Sequence, residues 1–418
     1  MDTPRHPRYR TLDAWRGLAC LTVIAFHSVA ATVATPDFIT SIAADGGSPA
    51  DWLIVLAARL WIGVPLFFVV SGYCIAAAAD SARRRPRPTR TFFVRRFRRI
   101  YPPLWAFLLL LAILVALLPD LFAALGVACH LPYDSPADVP FWRWFGSVTL
   151  TEEWRHHFVG PPTGYFIGHI WTLCYEEQFY LVAGTIVAVA PRWLFPAAVA
   201  VTAVVAVRLL CAIPLPFAEG FFFDGLWLAF AAGGATYYRG NYATPTIRRC
   251  IDLGLLAGTA WAAAHVADWW RFPQILPAHL VAAFPAALLL GWLQPWDDRT
   301  ARWKVLAPLS WCGVRCYSLY LVHGPIAIVL SVNLFRAGVT GTSATVLVTM
   351  PLCLAASLIG GWAFYRWVEV RFHNPPLPAP SPVPAASRPA ESCALPHSAP
   401  TARALVSLTS LAPSRSRC

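Results

Sequence analysis

The 418-residue chain is 57% hydrophobic and only 13% charged, with 19 tryptophans and a formal net charge of +12. An ordinary soluble domain is about 45–50% apolar and about 25% charged, so this balance excludes one. It describes a protein immersed in lipid, whose excess positive charge anchors loops against anionic headgroups rather than binding nucleic acid.

Apolar runs suited to spanning helices follow in chain order at 11–33, 56–79, 100–118, 170–190, 193–213, 220–238, 250–267, 276–293, 308–333 and 344–367. Most are near the roughly 20 residues that a crossing requires. The sequence therefore predicts an all-α, polytopic membrane bundle of about ten helices with both termini cytoplasmic, in the cell (plasma or inner) membrane. With that topology, 25 of the 33 basic residues fall on inner segments and six on outer ones, Arg59, Arg143, Arg155, Arg208, Arg271 and Arg336. Cytoplasmic loops carry this bias. A cleaved signal peptide after Arg5, Arg8 and Arg10 fits less well, because the first run is long and no small-residue cleavage site follows. Residues 1–373 read as the membrane domain. The stretch 374–418, rich in Pro, Ala, Ser and Arg, reads as a disordered cytoplasmic tail.

The first run places Arg16 eleven residues before His27. Eleven helical steps return two side chains to within roughly 20° of one face, about 16 Å apart along the axis. Ionisable residues inside a membrane helix are costly and normally face a cavity or a partner. An interhelical hydrogen bond is the structural alternative for His27, and an ion pair with Asp13 the alternative for Arg16.

Ahead of the third run, Arg95, Arg96, Arg98 and Arg99 crowd one and a half turns. Guanidinium groups pair bidentately with phosphate, so this cluster suits a soluble anionic cofactor, although from composition alone a stop to translocation is the favoured reading, since positive loops are universal in membrane proteins. Residues 119–168, containing Trp142, Trp144, Glu152, Glu153, His156 and His157, form a long outer segment and a candidate acceptor-binding lid. In the fourth run Glu176 and Glu177 lie toward the outer half, at the depth of His27. A glutamate there would orient His27 and stabilise its imidazolium, or bridge helices through an arginine. The eleven cysteines show no CxxC pairs or alternating Cys/His spacing, so no metal site is expected.

The residues also carry a family resemblance. LDAWRGLACLTVIAFH, FFVVSGYCIA at 67–76, FFVRRFRRIYPPLW at 92–105, IWTLCYEEQFYL at 170–181 and CYSLYLVHGPI at 316–326 stand in order along the chain. Together they resemble the membrane-bound acyltransferase-3 family over roughly residues 9–373. The resemblance implies an O-acyltransferase that moves an acyl group, commonly acetyl, from cytoplasmic acyl-CoA to a hydroxyl of a carbohydrate or a glycosylated or lipid-linked acceptor. Acyl-CoA is then a co-substrate, with no permanently bound cofactor.

By motif matching, His27 would be catalytic with Arg16 as its companion, and Arg95, Arg96 and Arg99, with neighbouring Arg98 and Tyr101, would hold the acyl-CoA. Glu176 or Glu177 would support catalysis, while His323 and Trp171 would bind substrate. Some members carry a fused extracytoplasmic hydrolase-like domain that completes the transfer. This chain is expected to act alone or with a separate extracytoplasmic partner. The rival reading is a transporter or flippase for a glycan or lipid-linked intermediate, but no two similar halves with interrupted helices are visible.

Overall fold

The computed structural model describes residues 9–126, 128–160, 164–215, 217, 219–268 and 275–374. Except for Asn374, the predicted tail lies outside the described residues. Among those residues every regular element is helical. Helix α1 (Leu12–Ala30) is followed by the short α2 (Pro36–Asp45) and by α3 (Pro49–Arg59), which continues through one tight turn into α4 (Gly63–Ala82). After α5 (Pro88–Ala124), a long connection contains α6 (Phe141–Thr149) and α7 (Glu152–Val159). Next come α8 (Trp171–Val189), α9 (Leu194–Leu210), α10 (Trp227–Asn241), α11 (Pro245–Ala264) and α12 (Leu276–Leu293). The single turn α13 (Asp297–Thr300), α14 (Ala307–Val314), α15 (Cys316–Arg336), the short α16 (Thr342–Ala344) and α17 (Met350–Trp367) are the remaining α-helices among the described residues.

Six helical stretches are long and apolar enough to cross a membrane: Pro49–Ala82, Pro88–Ala124, Pro191–Leu210, Leu276–Thr300, Cys316–Arg336 and Thr342–Trp367. The other four predicted spans coincide with α1, α8, α10 and α11. They miss the same standard for visible reasons: α1 carries Asp13 and Arg16, α8 carries Glu176 and Glu177, α11 carries Arg248, Arg249 and Asp252, and α10 has only 15 residues. The polar helices include those that build the site.

Helix α1 lies among α4, α14 and α15. A Cβ on Gly313 would stand 1.6 Å from the Asp13 carbonyl oxygen, and one on Gly17 would stand 1.9 Å from that of Leu309. Only glycine allows the α1 and α14 backbones to approach so closely. The start of α1 is fixed by Asp297, whose carboxylate accepts hydrogen bonds from the Arg10 amide at 2.6 Å, the Thr11 amide at 2.9 Å and the Thr11 hydroxyl at 2.8 Å. These contacts set the depth of every residue on α1.

At the same end of the bundle, the buried Asp80 of α4 accepts from Tyr237 at 2.8 Å and pairs with Arg83 at 2.7 Å. The first turns of α5, which carry the arginine cluster, lie at this end too. At 37 residues, α5 runs about 55 Å at 1.5 Å per residue, well beyond a hydrocarbon core of roughly 30 Å, so one end must project from it.

Candidate active site

The two ends of α1 meet different chemistry. Near its start, Arg16 donates to Asp13 at 2.8 Å and to the Cys74 sulfur of α4 at 2.9 Å. Both the predicted ion pair and an inward-facing partner are thus present. Near its other end, His27 faces a cavity of about 710 Å³. No hydrogen bond to a described residue holds its ring, which lies 5.0 Å from Phe26 and 5.2 Å from His323 between centroids.

His323 is 2% exposed. Its Nδ1 lies 3.0 Å from the Leu319 carbonyl oxygen and 2.7 Å from that of Tyr320. Carbonyl oxygens only accept, so Nδ1 bears the proton and Nε2 presents a lone pair. That Nε2 is buried and has no partner among the described residues. A buried polar atom without a protein partner is uncommon, and its lone pair is open to an ordered water or a ligand group.

A third imidazole completes the row. His169, in the turn Gly168–Ile170 that leads into α8, lies 5.2 Å from His323. Its Nε2 is 3.1 Å from the Leu321 carbonyl oxygen. Pro325 explains why that oxygen is free: four residues on, it has no N–H to donate back. Gly324 supplies the space, since a Cβ there would stand 2.4 Å from His169 Nδ1. The dipeptide Gly324-Pro325 is therefore a socket for His169. Sequence reasoning missed this histidine because it precedes a helix instead of lying on one; the Gly-Pro pair inside an apolar run was the signal available.

Trp171, Trp61, Tyr133, Asp134 and Arg143 also line the cavity. Arg143 donates to Asp134 at 2.8 Å and to the Gly164 and Tyr165 carbonyl oxygens at 3.0 and 2.9 Å. The segment before it is pinned by Asn333, whose side chain accepts from the His130 amide and donates to its carbonyl oxygen, both at 2.8 Å. The predicted outer segment is in this way a wall of the cavity. A pocket of this volume, with a few convergent polar groups and aromatic faces, is of ligand-binding size.

The glutamates occupy another level. Trp171 sits at the cavity, and five residues at 1.5 Å carry Glu176 about 7.5 Å deeper along α8. There Glu176 accepts hydrogen bonds from Ser71 and Tyr180, while Glu177 is within electrostatic reach of Tyr101 and Arg96. Neither carboxylate is bonded to His27, so the expected glutamate–histidine pairing gives way to the histidine row.

Arg96 lies 5.2 Å from the Tyr180 ring centroid and 5.9 Å from that of Phe92. It is also within electrostatic reach of Glu176, Cys74 and Arg99. Arg16 and Arg99 both act on Cys316. Three guanidinium groups thus converge on the Cys74 and Cys316 neighbourhood. Arg98 is exposed, and Arg95 is partly buried with its carbonyl accepting from Asn374 at 2.8 Å. Tyr101 stacks on Phe97 at 5.1 Å. Its hydroxyl donates to the Thr149 carbonyl oxygen of α6 at 3.5 Å. Among the described residues, no three His, Cys, Asp or Glu side chains are disposed to hold a metal ion.

A helical bundle with several membrane-crossing segments, cationic at one level and histidine-lined at another, defines a multi-pass membrane protein with a buried polar site. The profile of the acyltransferase-3 family, described as an acyltransferase domain, matches residues 9–366, and the chain belongs to that family. It is 25% identical over 336 residues to BcsY of Komagataeibacter xylinus, a proposed membrane-bound transacylase, covering 78% of this chain and 75% of that one. It is 23% identical over 410 residues to the peptidoglycan O-acetyltransferase OatA of Listeria monocytogenes serovar 1/2a (strain ATCC BAA-679 / EGD-e), covering 86% of this chain and 55% of OatA. The chain thus spans three quarters of one relative and about half of the other. No solved structure matches it.

Proposed function

We propose that the chain is an acyl-CoA-dependent O-acyltransferase of the cell membrane, moving an acyl group, acetyl foremost, to a hydroxyl of a carbohydrate or lipid-linked acceptor. One observation carries this reading: α1 joins Arg16, in a nest with Arg96 and Arg99, to His27, which opens onto a cavity of about 710 Å³. The guanidinium groups match the phosphates of CoA. The cavity, with Trp61, Trp171 and the Asp134–Arg143 pair, suits the ring faces and hydroxyls of a sugar.

In the proposed step His27 removes the acceptor's hydroxyl proton as the oxygen attacks the thioester carbonyl. The carbon–oxygen bond of the ester forms, the carbon–sulfur bond breaks, and the CoA thiolate leaves with the electron pair. The imidazolium then returns the proton to that sulfur. The His323 lone pair is the acceptor available to the second N–H of the imidazolium, the role first expected of a glutamate. Arg16 lies about 16 Å along the helix from His27 and so addresses CoA rather than the oxyanion.

The test uses membrane vesicles from a bacterial host expressing the chain and supplied with radiolabelled acetyl-CoA. Label is expected in alkali-labile ester products, and His27→Ala should reduce it by about 10²-fold or more, the contribution typical of a positioned base. Retained labelling in this variant, with normal insertion, overturns the assignment. Arg96→Ala is expected to raise the acyl-CoA Kd about tenfold, or about 1.4 kcal/mol, measured by titration of purified protein.

A further inference from the structure

Between Arg16 and His27 the α1 helix borders a second, much smaller void of about 30 Å³. Its lining on α1 begins at Ala19, three residues after Arg16, and ends at Ile24, three residues before His27. At 1.5 Å per residue it therefore starts and stops about 4.5 Å short of either group. Val23 and Val64 line both this void and the large cavity, so the two are adjacent. Ala19 is 1% exposed and Leu319 0%. Those two walls are close-packed and resist expansion, while Val23, Val64, Phe67 and Tyr320 in the lining are partly buried.

One water needs at least about 10–15 Å³ of such space. The void therefore holds about two water-sized groups, which is the bulk of an acetyl carbonyl and methyl and less than that of a propionyl. Its walls are apolar along Ala19, Val23 and Leu319. His323, whose buried Nε2 has no partner among the described residues, stands in the wall beside the histidine row. Accepting from one N–H of His27, that lone pair leaves the other His27 nitrogen to draw the proton from a hydroxyl that arrives from the cavity side and meets an acyl carbon in the void.

We infer that this void is the acyl pocket and that its size selects acetyl over longer acyl groups, with Ala19 and Val23 setting the limit. The inference rests on the acyl-CoA-dependent transfer proposed above, and the bonds made and broken are those given there. A single extra methylene in a tight apolar pocket is discriminated by about 10–200-fold.

The test needs no acceptor. The Kd values of CoA, acetyl-CoA, propionyl-CoA and butyryl-CoA are measured on the purified full-length chain in nanodiscs. Wild type is expected to bind acetyl-CoA at least tenfold more tightly than butyryl-CoA. Val23→Ala should narrow that ratio several-fold by admitting the longer chain, and Ala19→Val should remove the advantage of acetyl-CoA over CoA. Equal binding of all acyl lengths, unchanged in Val23→Ala, overturns the pocket assignment and leaves the transferase reading standing. Failure of every acyl-CoA to bind the folded wild type overturns that reading and this one with it.

Discussion

At the scale of single residues, the role proposed for His27 depends on how His323 and His169 pack beside it. His27 has no hydrogen bond to hold it among the described residues, so the orientation of its ring depends on packing against Phe26 and His323. His323 in turn rests against His169, which occupies the space left by Gly324. Gly324→Ala is therefore expected to displace the His169 ring and to lower kcat about tenfold or more while leaving the Kd for acetyl-CoA unchanged. Steady-state kinetics beside a binding titration separate the two, and an equal loss in both would show that the socket serves only the fold. The spacing of Arg16 and His27 was legible because helical periodicity fixes which residues share a face. The partner of His27 was not. Depth along a helix follows from residue count, but which neighbouring helix stands opposite does not, so Glu176 was placed near His27 when its carboxylate faces Ser71 and Tyr180.

At the scale of helices, hydropathy and function pull in opposite directions. All ten predicted runs are helical, yet α1 and α8, which carry His27, Arg16, Glu176 and Glu177, are among those that fall short of six more apolar stretches. A helix that lines a polar site surrenders the apolar signal by which spans are recognised. Such helices depend on neighbours for their position, and α1 depends on Asp297 at its start. Asp297→Ala removes the acceptor of three hydrogen bonds, two of them from backbone amides left with fewer partners. Bonds to a charged group are worth about 1.5–3 kcal/mol each. The variant is expected to lose at least about 2 kcal/mol of stability by that estimate, read as a lower melting temperature in detergent, whereas Asp297→Asn, which keeps an acceptor oxygen, should lose less. The sequence showed the Asp13–Arg16 pair because it is local in the chain. It did not show the Asp297 clasp, because the two partners are separated by 286 residues.

At the scale of the whole molecule, the segment between α5 and α8 walls the cavity from outside the predicted spans, and its own charges make that wall sensitive to pH. Burial, and the neighbouring Asp224, Glu152 and Glu219, push the Glu153 carboxyl up from 4.5 to about 7. Glu152 is differently placed, since Arg155 pairs with it at 2.8 Å. Glu153 is therefore protonated in the folded protein at pH values where the unfolded chain has already lost that proton. The folded state binds more protons between about pH 4.5 and 7, so stability must fall as pH rises through that window and level off above it. Glu153→Gln fixes the neutral form. It is expected to raise the melting temperature at pH 8, to leave it nearly unchanged at pH 4.5, and to flatten the slope between, all measured by thermal unfolding of the purified protein across a pH series. If His27 drives transfer from the far side of this wall, activity in the wild type should carry the same pH signature as wall stability, and the variant should lose that component while keeping the ionisation of its catalytic base. A pH–rate profile identical in both proteins would separate the wall from the chemistry.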